Sequence, residues 1–127
     1  MPYGYNIRPL RQSDYRRGYM DVVQMISETD GTNQESWDER CEWLRRNSGS
    51  YFIVVIVNAE DRVVATGTLL FERKFIDGMG IVAHIQDIAV ARSQKGKKIG
   101  LKVLEALVHA AAEFGAYKVC DVSWRMW

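Results

Sequence analysis

The chain has 127 residues, 47% of them hydrophobic, with 17 Lys and Arg against 16 Asp and Glu. That is one domain with material for a core, and a formal charge of +1 excludes a general nucleic-acid binder, which needs a basic face. The longest apolar run, Tyr51–Val57, is too short to cross a bilayer, and the arginine-bearing N-terminal segment has no apolar stretch of the kind that directs secretion.

The two cysteines, Cys41 and Cys120, have no metal-ligand spacing, so they read as buried free thiols of a soluble, cytoplasmic protein that holds no metal. In chain order, residues 5–10 predict a short strand stopped near Pro9. Ser13 and Asp14 cap a predicted helix that runs to about Ile26, with Tyr15, Tyr19, Val22 and Val23 on one side. A second helix is predicted from about Gln34 to Arg46, carrying Trp37, Cys41 and Leu44 at helical spacing. Trp37 and Trp43 stand six apart and read as packing residues. Two strands, 51–57 and 62–71, are joined by a hairpin turn at Asn58-Ala59-Glu60-Asp61. A third strand, 82–90, follows a loop at Asp77-Gly78-Met79-Gly80. A long helix is predicted from Gly96 to Phe114, stopped at Gly115, and a last strand from Tyr117 to Val122. Strands first and then one strand–helix–strand crossover give an α+β fold.

The join between that third strand and the long helix is Ala91-Arg92-Ser93-Gln94-Lys95-Gly96-Lys97-Lys98-Ile99-Gly100. Two glycines and three lysines at a helix start suit an anion, because the first-turn N–H groups are unpaired and glycine lets a phosphate approach the backbone. The glycine spacing is neither that of a P-loop nor that of a dinucleotide fingerprint. Taken alone, the segment reads equally as a phosphate cradle and as a solvated basic turn with helix-packing glycines.

From Val63 onward the chain resembles the GNAT acetyltransferase superfamily, and more narrowly the glucosamine-6-phosphate N-acetyltransferases. The likeness rests on Ala65-Thr66-Gly67, Glu72-Arg73-Lys74, His84-Ile85-Gln86-Asp87-Ile88-Ala89-Val90, Lys95-Gly96-Lys97-Lys98-Ile99-Gly100 and Ala116-Tyr117-Lys118-Val119. It extends more loosely to Tyr5-Asn6-Ile7-Arg8 and Ile26-Ser27-Glu28-Thr29. The resemblance implies a mixed, mostly antiparallel central sheet flanked by helices. It implies acetyl-CoA as co-substrate, glucosamine 6-phosphate as acceptor, and a step toward UDP-N-acetylglucosamine. Ile88, Ala89 and Val90 would pair their backbone with the pantetheine arm. Lys95, Gly96, Lys97, Lys98, Ile99, Gly100 and Leu101 would hold the pyrophosphate. Lys74, Phe75, Ile76 and Asp77 match the segment lining the sugar-phosphate pocket, Ser27 a hydroxyl near the substrate, and Gln86 and Asp87 an acidic pair at the sugar.

The pattern is not matched everywhere. Asp77 stands where histidine is common, Lys95 where arginine or glutamine is common, and Lys98 where glycine is common. Gln86 replaces a glutamate, and an amide cannot take a proton, so Asp87 is the carboxylate left for the amine. Its alternative reading is a structural acid at the strand end. His84 reads as a packed, hydrogen-bonded residue, His109 as surface, and Cys120 as buried rather than nucleophilic. The family pattern continues beyond the Tyr117-Lys118 strand with a further helix and strands, and Val122 stands at an acidic position. The expectation is a C-terminally shortened domain that exposes a sheet edge with Trp124 and Trp127, self-associates as a homodimer, and transfers acetyl weakly. A non-catalytic CoA-binding or subunit-pairing relative, and a GNAT enzyme for another amine, are the alternatives.

Overall fold

The computed structural model describes residues 1–121; the expectations for Val122, Trp124 and Trp127 lie outside them. The elements are β1 (Asn6–Pro9), a 3-10 turn (Gln12–Tyr15), α1 (Tyr19–Val23), α2 (Gln34–Arg46), β2 (Tyr51–Val57), β3 (Val63–Arg73), the single turn α3 (Ile76–Met79), β4 (Ile81–Val90), a 3-10 turn (Arg92–Gln94), α4 (Ile99–Glu113) and β5 (Lys118–Asp121). The strands form one sheet in the order β1-β2-β3-β4-β5. Neighbours from β1 to β4 are antiparallel, while β4 and β5 are parallel. A parallel pair needs a long crossover, which α4 supplies. The α+β fold with a mixed, mostly antiparallel sheet flanked by helices is therefore as expected.

Each face of the sheet has its own cover. Ile99, Val103, Leu107 and Ala111 recur every four residues along α4, so they form one stripe. That stripe packs on Val54, Ile56, Leu69, Phe71, Ile85 and Ile88. Burying an Ile, Val or Leu side chain contributes roughly 1.5–3 kcal/mol, so this layer carries much of the stability. The opposite face holds a smaller cluster of Val22, Val55, Val57, Val63 and Ala89 beneath α1. The α4 layer is close at Gly67 of β3, where a Cβ would lie 2.6 Å from Val103 Cγ1 and 2.8 Å from Leu107 Cδ1. Glycine is required there by space.

Two helices differ from expectation. The helix foreseen from Ser13 to Ile26 is broken at Gly18, whose φ is +90°. The Arg17 carbonyl instead accepts the Val63 N–H at 2.9 Å, tying this corner to β3. A tertiary hydrogen bond thus replaces a helical one. The long helix starts at Ile99 rather than Gly96, because Gly96 (φ +85°) and Lys98 (φ +57°) are left-handed. Its end is as foreseen. Gly115 (φ +90°) sends its N–H to the Ala112 carbonyl and Ala116 sends its own to Ala111, the paired bonds of a Schellman stop. Cys41 is buried, whereas Cys120 is only half-buried, which corrects the expectation of two buried thiols.

The corner between β1 and α1 is held by one carboxylate. Asp14 is fully buried. It accepts Arg8 Nη2 and Nη1 at 2.8 and 2.9 Å and the Arg11 N–H at 2.8 Å. Burial alone raises its pKa, yet hydrogen bonds from Arg8 and Arg11 and the charges of Arg8 and Arg17 leave it below the ordinary carboxylate value.

Two predictions follow from the packing. Asp14→Ala strands the Arg8 guanidinium and should cost about 3–5 kcal/mol in urea unfolding at neutral pH. Because the folded pKa is lowered, that contribution is present above the unfolded value of about 4 and is lost as pH falls through the folded one. The gap between wild type and variant should therefore narrow below about pH 4, and a gap independent of pH contradicts the assignment. Gly67→Ala should destabilise by about 2 kcal/mol through overpacking; an unchanged unfolding midpoint would show that α4 yields there.

Candidate active site

The site begins with an irregularity in β4. On β3, Thr66 pairs with Ala89 and Thr68 pairs with Gln86, so Gly67 faces two residues, Asp87 and Ile88. This is a β-bulge, and Asp87 takes it up with φ +55°. Aspartate is among the few residues that adopt a left-handed φ readily.

The bulge has two consequences. After it, Ala89 pairs with Thr66 and the Ala91 N–H donates to the Val64 carbonyl at 2.8 Å. In a strand the polar groups of successive residues point to opposite edges. The N–H and C=O of Ile88 and Val90 therefore face away from β3. On that side β5 pairs only with Val82–Ile85. Among the described residues, the outer edge from Ile88 to Val90 has no strand partner, so it can take an extended ligand as an added strand.

The second consequence concerns the other sheet face. Asp87 is exposed and lines a cleft of about 1280 Å³ between α2 and the sheet. Thr68, Ile53 and Tyr51 form its floor, and Tyr19, Trp37 and Leu44 part of its wall. Trp37 is fixed between the rings of Tyr15 and Tyr19, at centroid distances of 5.5 and 5.3 Å. Its indole N–H also donates to the Gln12 carbonyl at 2.8 Å. The Tyr19 hydroxyl lies 3.3 Å from that of Thr66, and burial raises its pKa. The Cys41 thiol at the wall is likewise raised by burial, which suits packing and not nucleophilic attack. Asp87 thus lies where the cleft meets the open edge.

Beyond Val90 the chain reaches the glycine-and-lysine turn. Its left-handed residues Gly96 and Lys98 curl the backbone just before α4, whose first i→i−4 bond from this turn is Lys102 N–H to Lys98 C=O at 3.3 Å. The N–H groups of Ile99, Gly100 and Leu101 precede that bond and face outward from the helix start. With Lys95, Lys97 and Lys98 in the same turn, they can receive an anion at the end of the β4 edge. A Cβ at Gly96 would meet nothing within 4 Å, so glycine serves conformation there; at Gly100 it would meet Val90 Cγ2 at 3.4 Å.

The other foreseen residues lie elsewhere. Ser27 is exposed just past α1, and Gln86 is half-buried opposite Thr68; neither lines the cleft. Lys74, Phe75, Ile76 and Asp77 sit in and beside α3, at the far end of the β3–β4 hairpin. There Glu72 accepts from Lys74 Nζ at 2.8 Å and meets His84 Nε2 at 2.8 Å. Hydrogen bonds from Lys74 and His84 lower the Glu72 carboxyl. His84 is thus hydrogen-bonded on the sheet surface, as its packed reading required. Asp77 accepts the Tyr117 hydroxyl at 2.8 Å, and the Tyr117 ring lies over Gly80. The sequence did not indicate this latch, which spans forty residues, nor the role of α2 as the cleft wall. Among the described residues, no three His, Cys, Asp or Glu side chains are grouped to hold a metal ion.

Comparison with known proteins agrees with this geometry. The acetyltransferase (GNAT) family pattern matches residues 10–124. Glucosamine 6-phosphate N-acetyltransferase 1 of Dictyostelium discoideum is 34% identical over 91% of this chain and 74% of its own length. The glucosamine 6-phosphate N-acetyltransferase of Candida albicans is 36% identical over 94% and 80%. The crystal structure of the Arabidopsis thaliana enzyme superposes with a TM-score of 0.90 at 31% identity, covering 94% of this chain and 82% of that one. This chain belongs to the acetyltransferase (GNAT) family, among relatives of the glucosamine 6-phosphate N-acetyltransferases.

Proposed function

We propose that the chain transfers acetyl from acetyl-CoA to the amine of glucosamine 6-phosphate, a step that feeds UDP-N-acetylglucosamine synthesis in the cytoplasm. One observation carries the reading: the β4 bulge puts Asp87 in a cleft while the open Ile88–Val90 edge runs from it to an anion site. Relatives 34 and 36% identical to this chain are named for this acceptor.

Acetyl-CoA supplies an activated thioester. The protein supplies placement. The outward groups of Ile88 and Val90, on either side of Ala89, take the pantetheine amides as a strand takes a neighbour. Lys95, Gly96, Lys97, Lys98, Ile99, Gly100 and Leu101 receive the pyrophosphate. The thioester then lies beside the bulge, with the Ile88 N–H facing the oxygen on which negative charge develops. Holding amine and carbonyl together supplies a large part of the rate. The Asp87 carboxylate takes the proton the amine must lose, directly or through water, and the Gln86 amide orients the sugar. The amine nitrogen bonds to the acetyl carbon, the carbon–sulfur bond breaks, and the CoA sulfur leaves with the pair.

Lys74, Phe75, Ile76 and Ser27 lie outside the cleft that Asp87 lines, so this reading gives them no contact with the sugar phosphate within one chain. Asp77 serves the α3 turn instead, since its carboxylate is engaged by Tyr117 and would repel a phosphate. Phe75, Ile76 and Met79 are 90, 64 and 65% exposed and adjoin Tyr117 at 50%. Such an apolar patch fits a second copy of the chain in a homodimer. The amide at Gln86 favours an impaired enzyme as the second reading.

Thiol release from acetyl-CoA tests both readings, with glucosamine 6-phosphate set against glucosamine and a lysine peptide. Glucosamine 6-phosphate should be preferred, and Asp87→Asn, which keeps the left-handed φ accessible, should lower kcat by about 10²–10⁴. Turnover unaffected by that change removes Asp87 as the proton acceptor, and no turnover with any amine supports the impaired relative.

A further inference from the structure

The anion turn is not self-supporting, and its anchor lies at the other end of the chain. Gln94, in the 3-10 turn just before Lys95, is only 5% exposed, although it leads into a solvent-facing loop. Its side-chain Oε1 accepts the Tyr5 hydroxyl at 2.8 Å, across 89 residues of sequence. Its Nε2 donates to Ser93 Oγ at 2.9 Å, and its backbone carbonyl accepts the Lys97 N–H at 3.1 Å. Gln94 thus joins Tyr5, just before β1, to Ser93 through its side chain and to Lys97 through its backbone carbonyl. The Tyr5 ring makes a second contact, with Lys97 Nζ 5.9 Å from its centroid, within cation–π range. Tyr5 is itself half-buried against the core that holds Ile99, so it is a fixed post.

We infer that Tyr5 is a positioning residue for the donor: through Gln94 and Lys97 it holds the Lys95–Leu101 turn in the left-handed form that presents its N–H groups and lysines to a diphosphate. The inference rests on the acetyl-CoA reading above and extends it to a residue outside the turn. Physically, the turn carries a left-handed φ at the non-glycine residue Lys98 and three like charges, both of which favour other conformations when it is unoccupied. A buried amide whose oxygen keeps the Tyr5 hydroxyl as its donor restrains the turn before ligand arrives, so less ordering is left for binding to accomplish.

The test compares donors with and without a diphosphate. Tyr5→Phe keeps the ring and removes the hydroxyl, and should raise the calorimetric Kd for CoA about fivefold. Tyr5→Leu, which also removes the ring, should raise it at least tenfold. Gln94→Met should match Tyr5→Phe, and the double variant should be no worse than either single one, because both remove the same bond. With S-acetyl-N-acetylcysteamine, a thioester donor that lacks the diphosphate, Tyr5→Phe should leave kcat/KM as in the wild type. Equal penalties for both donors, or additive effects in the double variant, overturn the inference as a general loss of structure. Wild-type binding of CoA with Tyr5→Phe binding equally well overturns it alone, whereas a wild type that does not bind CoA overturns the acetyl-CoA reading as well.

Discussion

The two-for-one pairing of Asp87 and Ile88 against Gly67 is the constraint on which the site depends. Without it, β4 would continue its alternation, Asp87 would not reach the cleft, and the polar groups from Ile88 onward would point to the wrong edge. The pairing requires a particular residue on each strand. On β4 an aspartate accepts φ +55°. On β3 the opposing residue is glycine, because Val103 and Leu107 of α4 press on the same spot. The helix that follows the glycine-and-lysine turn is thus seated against the bulge that opens the β4 edge. Fold stability and site geometry share these contacts.

Beyond the bulge, the proposed donor path is made mostly of backbone. Ile88 and Val90 contribute N–H and C=O groups, and the helix start adds those of Ile99, Gly100 and Leu101. Only the lysines bring charge. Such a path tolerates exchange of Lys95 and Lys98 for the family's more usual residues, provided the left-handed turn survives. Lys98 at φ +57° is the strained point, since a non-glycine residue there costs about 1–2 kcal/mol.

Local signals were read correctly where local interactions decide. The span of α2 was foreseen, and Asn33 caps it by accepting the Ser36 N–H at 2.9 Å. The stop at Gly115 and the β2–β3 hairpin follow the same logic. Where a distant group intervenes, sequence patterns misled. The 13–26 helix looked continuous, but Val63 captures the Arg17 carbonyl and Gly18 turns the chain. The turn before α4 was legible from its glycines and lysines, yet its helix starts three residues late because Lys98, not only glycine, is left-handed. Asp77 reaching Tyr117, and Tyr5 reaching Gln94, join residues 40 and 89 apart, and no local pattern encodes such pairs. The cleft wall on α2 was hidden for the same reason: Trp37 and Cys41 read as core, and core residues can also line a pocket.

The central claim is that β4 offers its outer edge to acetyl-CoA just past the bulge, and amide hydrogen exchange read residue by residue tests it most directly. In the free protein the Ala89 and Ala91 N–H groups, bonded toward β3, should be protected, while those of Ile88 and Val90 exchange quickly. Saturating CoA should slow Ile88 and Val90 together with Ile99 and Gly100, and leave Ala89 and Ala91 as they were. If Ile88 and Val90 are already protected in the free protein, or stay fast while CoA is bound, the open-edge account is wrong.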